Sequence, residues 1–184
     1  MNNKNYINKS WQDAKDGSTL KVENPFTEEI IAEVPNSSAS DVNHAVSVAK
    51  AAWKEWKMLG SLEMRDLLRE VAVKSRAHDR EIASIITAES GKPLIECLDE
   101  IEWIASIFEY YSEIGRDQRG RVVAPVTPRS MSMVVKEAYG VVGCIVPWNY
   151  PLLLMAWKVA PALSAGNTVV VKPSEITPLS ILHW

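Results

Sequence analysis

Residues 140–175 read GVVGCIVPWNYPLLLMAWKVAPALSAGNTVVVKPSE. An apolar run, Val141 to Val146, ends in the turn Pro147-Trp148-Asn149-Tyr150-Pro151. A segment of helical character follows, then a second apolar run, Thr168 to Val171, and then Lys172-Pro173-Ser174-Glu175. Strand, turn, helix, strand is the order of a βαβ unit, and open α/β sheets carry their ligand sites at the carboxyl ends of such strands. Pro151 suits the first turn of a helix, where its missing N–H costs nothing. The pattern predicts an α/β fold in which Asn149 and Lys172–Glu175 leave the same edge of a parallel sheet.

Upstream of this unit the chain alternates between short extended pieces and helices. Tyr6-Ile7, Thr19–Val22 and Ile30–Val34 read as strands of a small β region, separated by the turn signals Asp16-Gly17 and Asn24-Pro25. Ser38 with Asp41 three residues on is a capping-box variant that opens a helix. Val42, Ala45, Val46, Ala49, Ala52, Trp53 and Trp56 give it one apolar stripe that should pack on the core. Further helices are expected near Leu62–Ser75, Asp79–Ser90 and Leu94–Ile114. The third of the four stops at Gly91 with Pro93 beyond. Residues 120–129 hold two prolines and break the pattern, and Met131–Glu137 reads as a strand in a hairpin or at an edge.

Composition narrows the classes of function. The 184 residues are 47% hydrophobic and 23% charged, with a net charge of −3 and no basic run, so a nucleic-acid surface is not expected. The polar N-terminus MNNKNYINKSW lacks an apolar signal region, and no 18-residue apolar stretch is present, so the expected compartment is the cytoplasm, with no membrane contact. Two cysteines, Cys97 and Cys144, and three scattered histidines give no metal spacing. Cys144 lies in an apolar strand and reads as a small buried hydrophobe. Cys97 sits among Glu96, Asp99 and Glu100, carboxylates that would raise its pKa. Glu89, Glu100 and Glu102 read as helix-surface charges.

Three groups in the unit can carry chemistry, each with a plainer alternative. The Asn149 amide can donate to a developing oxyanion, or it can cap the following helix. Glu175 can accept hydrogen bonds from ribose hydroxyls, or pair with Lys172 in a solvated loop. Tyr150 and Trp157, seven residues apart, can share a helix face as part of an aromatic cage for a quaternary ammonium group, or simply pack.

The stretch as a whole, with PWNYP, the WK of Trp157-Lys158, KPSE and the string Tyr110–Arg121, resembles the aldehyde dehydrogenase superfamily, and most closely its betaine-aldehyde and aminoaldehyde group. The resemblance covers nearly the whole chain. It implies the N-terminal part of that fold over residues 1–184: a small β region, helices, and the start of a Rossmann-like sheet, as an incomplete cofactor-binding domain. It implies NAD as cofactor, held by Ile145, Pro147, Trp148, Lys172, Ser174 and Glu175, with Glu175 disfavouring the 2′-phosphate of NADP. Asn149 would hold the oxyanion formed when a cysteine thiolate attacks the aldehyde. Tyr150 and Trp157 would contact a cationic aldehyde, and the full-length form would be a homo-oligomer. The family's nucleophilic cysteine, general-base glutamate and pyrophosphate turn match nothing before Trp184. The 184 residues alone are therefore expected to be inactive and, with strand edges uncovered, prone to aggregate. Three readings stay open: part of a longer enzyme, a naturally truncated chain, or a non-catalytic module that binds adenosine weakly or associates with full-length subunits.

Overall fold

The computed structural model describes residues 3–117 and 119–184. Met1 and Asn2, in the polar N-terminus, and Gln118, in the Tyr110–Arg121 string, lie outside the described residues. The chain opens with two antiparallel hairpins, β1 (Asn5–Ile7) with β2 (Ser10–Gln12) and β3 (Thr19–Glu23) with β4 (Ile30–Pro35). Four helices follow: α1 (Ala39–Trp56), α2 (Ser61–Ala77), α3 (Asp79–Ser90) and α4 (Leu94–Ile114). A third hairpin joins β5 (Arg121–Val123) to β6 (Ser132–Val134). The chain then enters β7 (Val141–Ile145), α5 (Pro151–Ser164), β8 (Thr168–Lys172) and the short α6 (Leu179–His183). β7 and β8 pair in parallel, which makes β7–α5–β8 the βαβ unit expected from its sequence. Among the described residues no helix is long and apolar enough to cross a membrane.

The core centres on α4, which packs against α2, α3 and α5. Its stripe Cys97, Ile101, Ile104, Ala105 and Phe108 is fully buried. It joins one cluster with Leu68 and Ala72 of α2, Ile82 and Ile86 of α3, Cys144 of β7, and Leu152, Met155 and Ala156 of α5. The α3–α4 corner needs Gly91, whose φ of 75° lies in the left-handed region that favours glycine. α1 and α5 both pack on the β7–β8 pair. The indoles of α1 fix that contact: Trp53 Nε1 donates to Gly166 O at 3.0 Å and Trp56 Nε1 to Leu163 O at 3.2 Å. Buried Asn167 accepts from Gly140 N–H at 3.0 Å and donates to Ala162 O at 3.1 Å, which locks the starts of β7 and β8 together.

Several expectations are corrected. The capping box at Ser38 forms, with the Asp41 carboxylate accepting from Ser38 N–H at 2.8 Å. The α1 stripe, however, is only partly covered: Ala45, Ala49, Trp53 and Trp56 are half-buried, while Val42, Val46 and Ala52 are exposed. The Pro-containing stretch 120–129 is not a plain break, since β5 lies in it and both prolines fall in the loop beyond. β2 gave no sequence signal, because its turn is made by Asn8 and Lys9 at φ 54° and 60°, with no glycine. Glu102 is a surface charge that bonds Arg76 at 2.7 Å, but Glu89 and Glu100 are buried to 1% and 0% exposure.

Glu89 holds the start of α6. Its oxygens accept from Leu179 N–H at 2.6 Å and Ser180 N–H at 3.0 Å. Burial outweighs these bonds and pushes its carboxyl up to about 7 from an ordinary 4.5. Folding therefore favours the protonated form, and the stability this contributes is full below pH 4.5 and lost as pH rises through about 7. Glu89→Gln should abolish that loss. Between pH 4.5 and 7 the unfolding free energy of the unmodified chain should fall relative to the variant by on the order of 3 kcal/mol, read from urea midpoints. Parallel pH profiles would show that the buried carboxyl does not titrate in this window.

Candidate cofactor and oxyanion edge

The register of β7 and β8 places their carboxyl ends side by side. Ile145 lies opposite Lys172, and Val146 N–H donates to Lys172 O at 3.1 Å, one residue past the pairing. The turn after β7 and the loop after β8 thus leave the sheet together. They are joined again where the Thr177 hydroxyl donates to Trp148 O at 3.4 Å. On this edge Ile145 and Trp148 are 74% and 56% exposed, a large apolar surface flanked by exposed Lys172 and Glu175. Pro147 and Asn149 are also exposed. A cavity of about 330 Å³ beside this edge is lined by Trp148, Ile176, Thr177 and Glu89.

Asn149 is not the helix cap. That position belongs to Tyr150, with φ −140° and ψ 72°, and Pro151 begins the helix. The N-terminus of α5 is satisfied from elsewhere: Glu100 Oε1 accepts from both Leu152 N–H and Leu153 N–H at 3.1 Å. Glu100 Oε2 meets Lys92 Nζ at 2.6 Å. The Asn149 side-chain oxygen therefore has no capping duty, and the residue stands at the carboxyl end of a parallel strand.

Tyr150 lies outside the helix, so it and Trp157 are not two turns apart on one helical face. Lys92 Nζ stands 3.7 Å from the Tyr150 ring centroid. The Trp103 ring lies 6.2 Å away at 42°. Trp157, within α5, is 56% exposed. The aromatic group around Tyr150 thus includes Trp103, which the sequence reading did not single out.

Lys172 and Glu175 form an exposed ion pair at 3.1 Å. The Glu175 carboxyl is held below its ordinary value, first by a backbone N–H and then by Lys172. Ser174 is buried, and its hydroxyl accepts from Ile176 N–H at 3.3 Å, which shapes the loop. Both cysteines are buried in the main core cluster, and burial pushes both thiols up. For Cys97 burial is the largest cause and the neighbouring glutamates a lesser one, which corrects the order expected from sequence.

Lys92, Glu89, Glu100 and Trp103 were missed as site or support residues. The signal for the two glutamates was present. Glu100 stands three residues after Cys97 and four before Ile104, and Glu89 three after Ile86, so each occupies a position on an apolar stripe. A carboxylate there is buried and must be met by donors.

Comparisons agree with this geometry. Residues 11–184 match the aldehyde dehydrogenase family. A mitochondrial succinate-semialdehyde dehydrogenase of Arabidopsis thaliana is 42% identical, over 96% of this chain and 33% of its own length. A betaine aldehyde dehydrogenase of Bacillus subtilis is 37% identical, over 96% of this chain and 36% of its own. Among solved structures, a betaine aldehyde dehydrogenase double mutant from Staphylococcus aureus in complex with NAD+ superposes with a TM-score of 0.94 at 33% identity, over 98% of this chain and 36% of that one. A 3,6-anhydro-L-galactose dehydrogenase in complex with NAP gives 0.95 at 35% identity, over 98% and 38%. The chain spans about a third of the length of the relatives it matches. With the βαβ register, the edge it builds and the match over residues 11–184 in agreement, the chain belongs to the aldehyde dehydrogenase family.

Proposed function

We propose that residues 1–184 form the N-terminal, cofactor-binding portion of an NAD-dependent enzyme that oxidises a small aldehyde to its carboxylate, with betaine aldehyde or an aminoaldehyde as substrate. One observation carries the reading: the paired ends Ile145 and Lys172 send the Asn149 turn and the Lys172–Glu175 loop off the same edge of the sheet. The betaine aldehyde dehydrogenases among its relatives support the substrate class. A second reading, a semialdehyde bearing a carboxylate, is favoured by the Arabidopsis relative.

The edge fits the adenosine half of a dinucleotide. Ile145, Pro147 and Trp148 offer apolar surface, and Lys172 and Glu175 offer a donor and an acceptor suited to ribose hydroxyls. Ser174 supports the loop from beneath. NAD, when bound, supplies the electron acceptor. Glu175 disfavours a 2′-phosphate by like-charge repulsion, which supports NAD over NADP. Asn149 donates to the oxygen that becomes negative as a thiolate adds to the aldehyde, a donor of the kind that contributes about 3 kcal/mol. Tyr150, from the turn, and Trp157, exposed on α5, are each assigned to the substrate's head group without sharing a helical face. The thiolate itself comes from outside residues 1–184, because Cys97 and Cys144 are buried and disfavour ionisation.

The 184-residue polypeptide should accordingly form no NADH from betaine aldehyde or aminobutyraldehyde. Turnover abolished by thiol alkylation would show that one of its two cysteines is the nucleophile after all. The remaining roles are read in a complete enzyme, made by joining residues 1–184 to the rest of the B. subtilis betaine aldehyde dehydrogenase. Asn149→Ala should lower kcat and kcat/KM together by about 10²–10³ for every aldehyde, since the oxyanion is common to all. Trp157→Ala should weaken kcat/KM for trimethylammonium aldehydes by about 0.5–2 kcal/mol and spare a neutral aliphatic one. An equal penalty on both would return Trp157 to ordinary packing.

A further inference from the structure

Lys92 and Glu100 form a charge pair that the reading above leaves without a task. The side chains are 14% and 0% exposed, and Nζ and Oε2 stand 2.6 Å apart. Glu100 arrives from the second turn of α4, and Lys92 from the α3–α4 corner just after Gly91. The ammonium of Lys92 sits on the Tyr150 ring, 3.7 Å from its centroid.

A brace for α5 would not require this arrangement. Oε1 alone accepts the Leu152 and Leu153 N–H groups, and a glutamine oxygen could do the same. A lysine placed on the ring is a different matter, because an aromatic face attracts cations and this one already holds a cation. Left uncompensated in a poorly solvated position, Lys92 would repel a second cation near the ring and attract a carboxylate, with little screening by salt.

We propose that the Lys92–Glu100 pair sets the charge preference of the substrate site at Tyr150, with Glu100 cancelling the Lys92 charge so that a cationic head group is tolerated beside the ring. The proposal rests on the reading of Tyr150 as a substrate residue. It makes Lys92 and Glu100 specificity-determining residues that act through Tyr150, by favouring one head group and disfavouring its opposite. It also gives the two readings of the substrate a common physical basis. The same lysine that is neutralised for a cationic aldehyde would, if released, favour an anionic one.

The test uses the complete enzyme described above and three aldehydes of matched length whose far ends are trimethylammonium, uncharged and carboxylate. Glu100→Gln keeps an oxygen for α5 and frees the Lys92 charge. It should lower the ratio of kcat/KM for the cationic over the anionic aldehyde by about tenfold. Lys92→Met should move that ratio the other way, and the Lys92→Met, Glu100→Gln double variant should return it to within about threefold of the unmodified enzyme. Equal losses on all three aldehydes would make the pair a brace for α5 and overturn the proposal. Absence of turnover of any of the three by the unmodified enzyme would instead sink the reading of function. A second measurement, independent of turnover and of the graft, follows the Tyr150 ring signals by NMR in the 184-residue chain as tetramethylammonium chloride replaces sodium chloride. The shift should be smaller in Glu100→Gln than in the unmodified chain. An equal shift in both, or none in either, would overturn the proposal.

Discussion

Two buried carboxylates decide where the loops of this chain lie. A carboxylate taken from water costs several kcal/mol unless donors meet it. Glu100 and Glu89 find theirs in the backbone of segments that follow the two parallel strands. Glu100 takes the first free N–H groups of α5, after β7. Glu89 takes those of α6, after β8. The acceptors therefore sit where a helix carries its partial positive charge and its unpaired donors. Each strand's outgoing loop is pinned at its far end by the helical layer beneath, while the strand pairing pins its near end. The short turn 147–150 between these fixed points has little freedom left.

The two carboxylates differ in what surrounds them. Glu100 has Lys92 at 2.6 Å, while among the described ion pairs none involves Glu89. Burial without a cation leaves Glu89 with a carboxyl pushed up to about 7. The loop after β8 is thereby held by a group whose charge state changes near neutrality. The turn after β7, which carries Asn149 and Tyr150, is held by a compensated pair.

The layout of the elements was readable because local rules and packing agree over most of the chain. Asp79–Ser90 and Leu94–Ile114 are bounded as read, since Gly91 at positive φ and Pro93 mark the break between them. Val141–Ile145 and Thr168–Lys172 are parallel strands, as two apolar runs around a Pro-started helix require. Short hairpins were less legible. Asn8 and Lys9 turn the chain at positive φ with no glycine to announce it, and three-residue pairings leave little periodicity. The places of the two loops were legible from PWNYP and KPSE, and what depended on burial was not: Glu89 and Glu100 read as surface charges although both lie on apolar stripes. A stripe position outweighs the usual expectation that glutamate is exposed.

The cysteines and the open edge lead to the same conclusion from opposite sides. Cys97 and Cys144 are spent on the core, where burial suppresses ionisation. The large apolar side chains Ile145, Trp148 and Trp157 are spent on the surface, where exposure costs the chain about 25 cal/mol for each Å² left in water. A chain that buries its thiols and exposes isoleucine and tryptophan beside Asn149, Lys172 and Glu175 leaves that edge uncovered, which is what the proposed function requires of a cofactor edge. The polar groups there are spaced along two loops fixed from below, so what covers the edge meets donors and acceptors already in position. That preorganisation gives a ligand or a further part of the protein its affinity without paying to order the loops.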